Sequence, residues 1–359
     1  MEALAAAGIY LALDVNNGLY SINRAAPEPS YNAVYLQSVF ATIDAFANYT
    51  NTLLFFSGNE VVNDASNTNC APYVKAVTRD MRAYIQARNY RSIPVGYSAA
   101  DVSSNRYQLA AYMNCGNATE RSDFFAFNSY SWCDPSSFLT SGWSQLVQLF
   151  SNYSIPLFLS EFGCNTNPPR EFQEVSALYN AEMTSVYSGG LVYEYTEEAD
   201  NPNYGLVTVN SATQVTPLQD YQNLMAAYKQ NPLPTGTGGY QTGLPSLECP
   251  AQSSDWEVNG DVLPAMPSSA QFYMKEGAGK GPGLSGSGSQ DSGADALGPG
   301  APNTTSSTSS STSTSTSSST ATTTSHSGAG SLRLQDATAG YSMMALAVAV
   351  AFFAGAGVV

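Results

Sequence analysis

Six short apolar runs, at residues 8–14, 52–60, 92–99, 124–130, 156–163 and 189–196, alternate with longer stretches of helical apolar spacing, such as 31–49, 71–88 and 170–187. Strands separated by helical crossovers pair in parallel and need helices on the sheet face, so this alternation constrains the chain to repeated β/α units. The expected architecture is a (β/α)8 barrel, which takes eight strands to close and carries its chemistry at the C-terminal strand ends, where the βα loops lie. The six runs end in Asp14, Asn59-Glu60, Tyr97, Asn128-Ser129-Tyr130 (with Trp132 just beyond), Ser160-Glu161 and Tyr193-Glu194-Tyr195. One glutamate at a strand end is ordinarily a solvated loop residue. Six successive runs ending in polar or aromatic groups point to one shared site.

Composition narrows what that site can do. The sole histidine of the 359 residues, His326, lies in a Ser/Thr tract far from the runs, so no imidazole is available to a Ser-His or Cys-His site. The five cysteines, Cys70, Cys115, Cys133, Cys164 and Cys249, include no Cys-x-x-Cys pair, and no metal or other cofactor is expected. The 13 Lys and Arg against 28 Asp and Glu, a net charge of −15, exclude a nucleic-acid partner, which requires clustered cations. Carboxylates and tyrosines must carry any acid–base chemistry, and 23 Tyr with 3 Trp suit a cleft that stacks sugar rings. Two carboxylates facing each other across a barrel mouth, Glu60 and Glu161, suggest glycoside chemistry: one protonates the leaving oxygen and the other attacks the anomeric carbon.

The chain divides by composition. Residues 1–230 read as the incomplete catalytic barrel and 231–302 as a Gly/Pro/Ser-rich extension and linker. Residues 303–330 read as a Ser/Thr-rich stalk and 331–359 as a lipid-attachment signal. Between Thr304 and Ser327 only Ala321 and His326 are neither Ser nor Thr, a composition of O-glycosylated stalks that cannot bury a core. Small residues at 327–330, a polar spacer and the uncharged apolar stretch 341–359 form a glycosylphosphatidylinositol (GPI) attachment pattern, with Ser327 and Gly328 as candidate attachment sites. Four N-glycosylation sequons, at Asn48, Asn117, Asn152 and Asn303, agree with secretion, as does a cysteine set read as disulfides in an oxidising compartment. The expected location is the outer face of the plasma membrane, through a GPI lipid, with the cell wall as a second location.

The stretches AGIYLALDV, FFSGNEVVND, APYVKAVTRDM, IPVGYSAADV, NSYSWC, SEFGCN and SGGLVYEYTEE resemble glycoside hydrolase family 72, the β-1,3-glucanosyltransferases of fungal cell walls. The resemblance covers about residues 1–209, and CPAQSSDWEVNGDVLPAMPSSA resembles the family's ending. It implies a retaining (β/α)8 barrel that cleaves and rejoins β-1,3-glucan chains, acting as a monomer on donor and acceptor glucans. Carried over by position, it makes Glu60 the acid/base and Glu161 the nucleophile. Asn59 would hold the sugar 2-hydroxyl, Tyr130 would bond the nucleophile, and Tyr193 would line the donor site. Asp14 would be a substrate-site aspartate ending the third strand. It also implies the disulfides Cys133–Cys164 and Cys115–Cys249, with Cys70 unassigned. On the residues alone, the alternatives are core packing for Tyr193 and a helix cap for Asp14. Counted this way the first two strands are absent, so an N-terminally truncated barrel is expected, with Met1 falling inside the domain and little activity in the chain as it stands. Two alternatives stay open: an endo-β-1,3-glucan hydrolase, and a catalytically dead GPI-anchored wall protein.

Overall fold

The computed structural model describes residues 1–199, 202–290, 292–293, 296–298 and 301–302. Asn303, Ser327, Gly328, the stalk and the apolar C-terminal stretch lie outside the described residues. No helix among the described residues is long and apolar enough to cross a membrane.

Six parallel strands, β1 (Leu11–Asp14), β2 (Thr52–Asn59), β3 (Val95–Ala100), β4 (Phe124–Ser129), β5 (Leu157–Phe162) and β6 (Tyr187–Val192), pair in sequence order into one sheet. The helices are α1 (Glu2–Ala6), α2 (Pro27–Ser30), α3 (Ala33–Phe46), α4 (Ala71–Ala87), α5 (Arg106–Asn114), α6 (Trp143–Phe150), α7 (Glu174–Leu178), α8 (Ala181–Thr184), α9 (Gln219–Gln230) and α10 (Gln271–Glu276). An antiparallel hairpin, β7 (Val207–Ser211) with β8 (Gln214–Pro217), comes after β6 and was not foreseen from the sequence. The single helix expected over 170–187 is two short ones. Asn180 interrupts it and caps α8, its Oδ1 accepting from Met183 N at 2.7 Å, and Arg170 points inward from the loop that precedes α7.

Alternation along the strands sorts the core into two layers. Phe55, Val95, Tyr97, Phe125, Phe127, Leu157 and Leu159 face the helices. Leu54, Phe56, Phe124 and Ala126, with Ala12 and Phe158, gather on the other face. There Phe56 of β2 meets Phe158 of β5, ring centroids 6.2 Å apart across two intervening strands, so the sheet curls toward this face as a six-strand half-barrel. Gly96 makes room for that floor: a Cβ there would sit 2.3 Å from the Phe124 carbonyl oxygen and 2.7 Å from its ring.

Within 231–302, residues 249–290 pack against the barrel rather than leading away from it. Cys249 is bonded to Cys115 beyond α5. Buried Trp256 lies against Tyr112 at 5.4 Å, and Tyr273 of α10 packs on Phe40 of α3. Ser289 N donates to the Leu19 carbonyl at 2.9 Å.

Candidate active site

Strict alternation places Asn59 and Glu161 on the helix-facing side of their strands. Both are turned the other way. Between Phe56 and Asn59, β2 spends three residues against two of β3, and between Leu159 and Glu161, β5 spends two against one of β4. Each irregularity inserts a residue and re-aims the side chains beyond it, as bulges beside active sites do. Past these points, Asn59 lies opposite Ser98 and Glu161 opposite Asn128.

The side chains then converge. Asn128 Nδ2 donates to Glu60 Oε1 at 2.8 Å and to Asn59 Oδ1 at 3.2 Å, and it also hydrogen-bonds Glu161. Tyr130 donates to Glu161 Oε2 at 2.5 Å. Tyr193 and Tyr204 pack edge-on against Tyr130, at 6.2 and 5.8 Å between centroids, and against each other at 5.2 Å. Burial first, and then the charges of Glu60 and Glu194, push the Glu161 carboxyl up to about 7, against the opposing bonds from Tyr130 and Asn128. Burial thus keeps the Glu161 carboxyl protonated up to about that pH. Tyr130 is held well above the ordinary phenol range by burial and the neighbouring Glu161 charge, so it stays a donor.

Glu60 sits at φ +51°, in the left-handed region that side chains rarely adopt. Three contacts hold it and the residues after it. Its N–H donates to the Ser98 carbonyl at 2.9 Å, Arg24 Nη2 and Nε donate to the carbonyls of Glu60 and Val61 at 2.5 and 3.0 Å, and Val62 N donates to the Tyr97 hydroxyl at 3.0 Å. On the opposite wall, Arg170, 2% exposed, pairs with Asp220 at 2.6 Å. It also donates to the carbonyls of Gly163 at 3.2 Å and Tyr193 at 2.6 Å, and to that of Tyr204. It thereby ties the loop after β5 to the loop after β6. The disulfide Cys133–Cys164, Cα atoms 5.1 Å apart, joins the loops beyond Tyr130 and Glu161.

Asp14 ends β1 beside β2 and caps no helix; its Oδ1 accepts from Asn16 N and Nδ2 at 2.8 and 2.7 Å, while Oδ2 is buried without a partner. Burial raises its carboxyl to about 6. Tyr193 is half-buried within the tyrosine cluster. All three tryptophans are core residues: Trp132 donates to Asp134 at 2.9 Å and packs on Trp143, so ring-stacking surface is left to the tyrosines. Cys70 is buried, outside any disulfide. Asn48, Asn117 and Asn152 are exposed in loops after α3, α5 and α6, on the face of the barrel opposite Glu60 and Glu161. Reading the sequence missed Arg24, Ser98, Arg170 and Tyr204, because two are loop arginines and the others carry no local signature.

Residues 1–232 match the family model for glucanosyltransferases, glycoside hydrolase family 72. The 1,3-beta-glucanosyltransferase gel1 of Aspergillus fumigatus is 62% identical over 283 residues, covering 79% of this chain and 62% of that one. The 1,3-beta-glucanosyltransferase GAS5 of Saccharomyces cerevisiae is 53% identical over 282 residues, covering 78% of this chain and 57% of that one. The chain therefore spans less than two thirds of the length of these relatives. A solved structure of a Saccharomyces cerevisiae Gas2p mutant in complex with laminaritetraose and laminaripentaose matches at TM-score 0.69 and 40% identity, over 75% of this chain and 59% of that one. By sequence and by fold the chain belongs to glycoside hydrolase family 72, the glucanosyltransferase family.

Proposed function

We propose that this protein is a retaining β-1,3-glucanosyltransferase in which Glu161 is the nucleophile and Glu60 the acid/base. The observation that carries the reading is the meeting of the two glutamates on Asn128, with Tyr130 donating to Glu161. In the first step the Glu161 carboxylate attacks C1 of a glucose unit in the donor glucan. Glu60 gives its proton to the departing glycosidic oxygen, leaving a glucosyl ester on Glu161. In the second step Glu60, now a carboxylate, takes the proton of an acceptor 3-hydroxyl. That oxygen attacks C1 and displaces Glu161, so one β-1,3 bond is broken, one is made and the configuration is retained. Asn59 and Tyr193 hold the donor sugar in this reading, and Asp14 lies at the cleft edge. The Gas2p complex with laminari-oligosaccharides supports β-1,3-glucan as donor and acceptor.

The two disulfides and the kinship with these glucanosyltransferases support an extracellular location. A GPI lipid attached near Ser327 or Gly328 would tether the enzyme, with glycans at Asn48, Asn117 and Asn152 on the face away from the cleft. The decisive experiment incubates the purified protein with a reduced laminari-oligosaccharide and resolves the products by mass. Products longer than the substrate, lost in Glu161→Gln and in Glu60→Gln, support transfer. Only shorter products would make the protein a hydrolase, and no products from the folded protein would overturn the catalytic reading.

A further inference from the structure

We infer that Asn128 is the positioning residue of the carboxylate pair: its amide, held in one orientation by the hydroxyl of Ser160, is a neutral donor between Glu60 and Glu161 that sets them against each other. The inference rests on the roles proposed above for the two glutamates.

The lock comes from counting donors. Ser160 Oγ donates to Asn128 Oδ1 at 2.8 Å, and Ser98 Oγ lies 3.3 Å from the same oxygen and 2.7 Å from Ser160 Oγ. Asn128, Ser98 and Ser160 are all buried. A flipped amide would turn its NH2 onto these hydroxyls and its oxygen onto the carboxylate of Glu60, an acceptor facing an acceptor. One orientation therefore fits the site, with Oδ1 toward the serines and Nδ2 toward Glu60, Glu161 and Asn59 Oδ1. The same serine orients Asn59: Ser98 Oγ donates to Asn59 Oδ1 at 2.7 Å, leaving the Asn59 NH2 directed away from the network.

Neutrality matters as much as geometry. A lysine or arginine between the glutamates would favour ionisation of both and strip the pair of the proton that leaves with the glycosidic oxygen. An apolar residue would leave two acceptors facing each other with nothing between them. An amide lowers the repulsion and adds no charge. The register makes this possible, because the irregularity in β5 brings Glu161 directly opposite Asn128, while Glu60 reaches it from β2. The groups facing Glu161 are Glu60 from β2, Tyr130 from the end of β4, and Glu194 from the loop after β6.

The test compares Asn128→Ala with the unaltered protein by carbon-13 NMR titration of the glutamate side-chain carboxyls, which reads the pair whether or not glucan is transferred. Removing a donor to its ionised form should move the Glu161 titration to higher pH by about one to two units. Where the unaltered protein elongates laminari-oligosaccharides, kcat should fall at least roughly tenfold with KM nearly unchanged, because Asn128 acts through the carboxylates and not on the sugar. A folded Asn128→Ala protein with an unmoved titration overturns the inference, as does a raised KM at unchanged kcat. Should Asn128→Ala fail to fold, Ser160→Ala decides: losing the hydroxyl that holds Oδ1 should shift the titration in the same direction by a smaller amount, and no shift overturns the inference. Absence of glucan products from the unaltered protein would count against the proposed function alone.

Discussion

Replacing Glu161 with glutamine should stabilise the protein, and only toward alkaline pH. In the folded protein, burial and the neighbouring Glu60 hold the Glu161 carboxyl up to about 7, against an ordinary 4.5. The difference is about 2.5 units, and at 1.36 kcal/mol per unit the folded state carries a penalty of ~3 kcal/mol once the group is ionised. The sign is set by proton binding. Below pH 4.5 the carboxyl is protonated in both states and costs nothing. Between 4.5 and 7 the unfolded chain releases its proton first, so stability declines as pH rises, and above 7 the full penalty is present. Glutamine keeps the shape and cannot ionise, so it escapes the penalty. It weakens the bond from Tyr130 by about 1 kcal/mol, since the acceptor is no longer charged. The variant should therefore match or fall slightly below the unaltered protein at pH 4 and exceed it by ~2 kcal/mol at pH 8, several degrees in Tm. Urea denaturation and thermal melting of both proteins at pH 4, 6 and 8 check this. An offset independent of pH, or a less stable variant at pH 8, would refute the link between burial of Glu161 and stability.

In the proposed reaction Glu161 must be ionised to attack C1, so kcat/KM should rise with pH up to about 7, where burial holds its carboxyl; a profile flat between pH 5 and 7 would contradict this. Arg170→Met leaves Asp220 buried without its partner and frees the carbonyls of Gly163 and Tyr193, so urea unfolding should register a loss of roughly 3–5 kcal/mol. Coupling with Asp220→Leu should return part of that loss, and simple additivity would argue against a direct pair. Opening Cys133–Cys164, which closes a loop of 31 residues, with a Cys133→Ser/Cys164→Ser double variant should cost about 3–4 kcal/mol by loop entropy, read as a lower urea midpoint.

Much of the site was legible because the order of β/α units and the polar ends of the strands are local properties. The glutamates at 60 and 161 stand where a parallel sheet exposes its C-terminal edge, and Tyr130 comes one residue after β4. Strand ends shifted by up to four residues, since fraying and turn geometry respond to neighbours that no window of sequence contains. The helix expected over 170–187 was misjudged for a related reason: its apolar residues have helical spacing, but Arg170 is drawn inward by Asp220 and three carbonyls from other parts of the chain.

The sequence by itself determined that strands alternate with helices, that their polar ends lie together, and that carboxylates and tyrosines are the side chains at those ends. Those conclusions need only periodicity and composition. The tertiary structure decided which way the decisive side chains face. Period-two alternation puts Asn59 and Glu161 among the helices, and only the unequal residue counts between paired strands, β2 against β3 and β5 against β4, turn them to the cleft. It also decided that the tryptophans belong to the core, and that Ser98, Ser160 and Asn128 form one network across three strands. A side chain's type is written in the chain, but its partners depend on register, which is set by packing between segments distant in sequence.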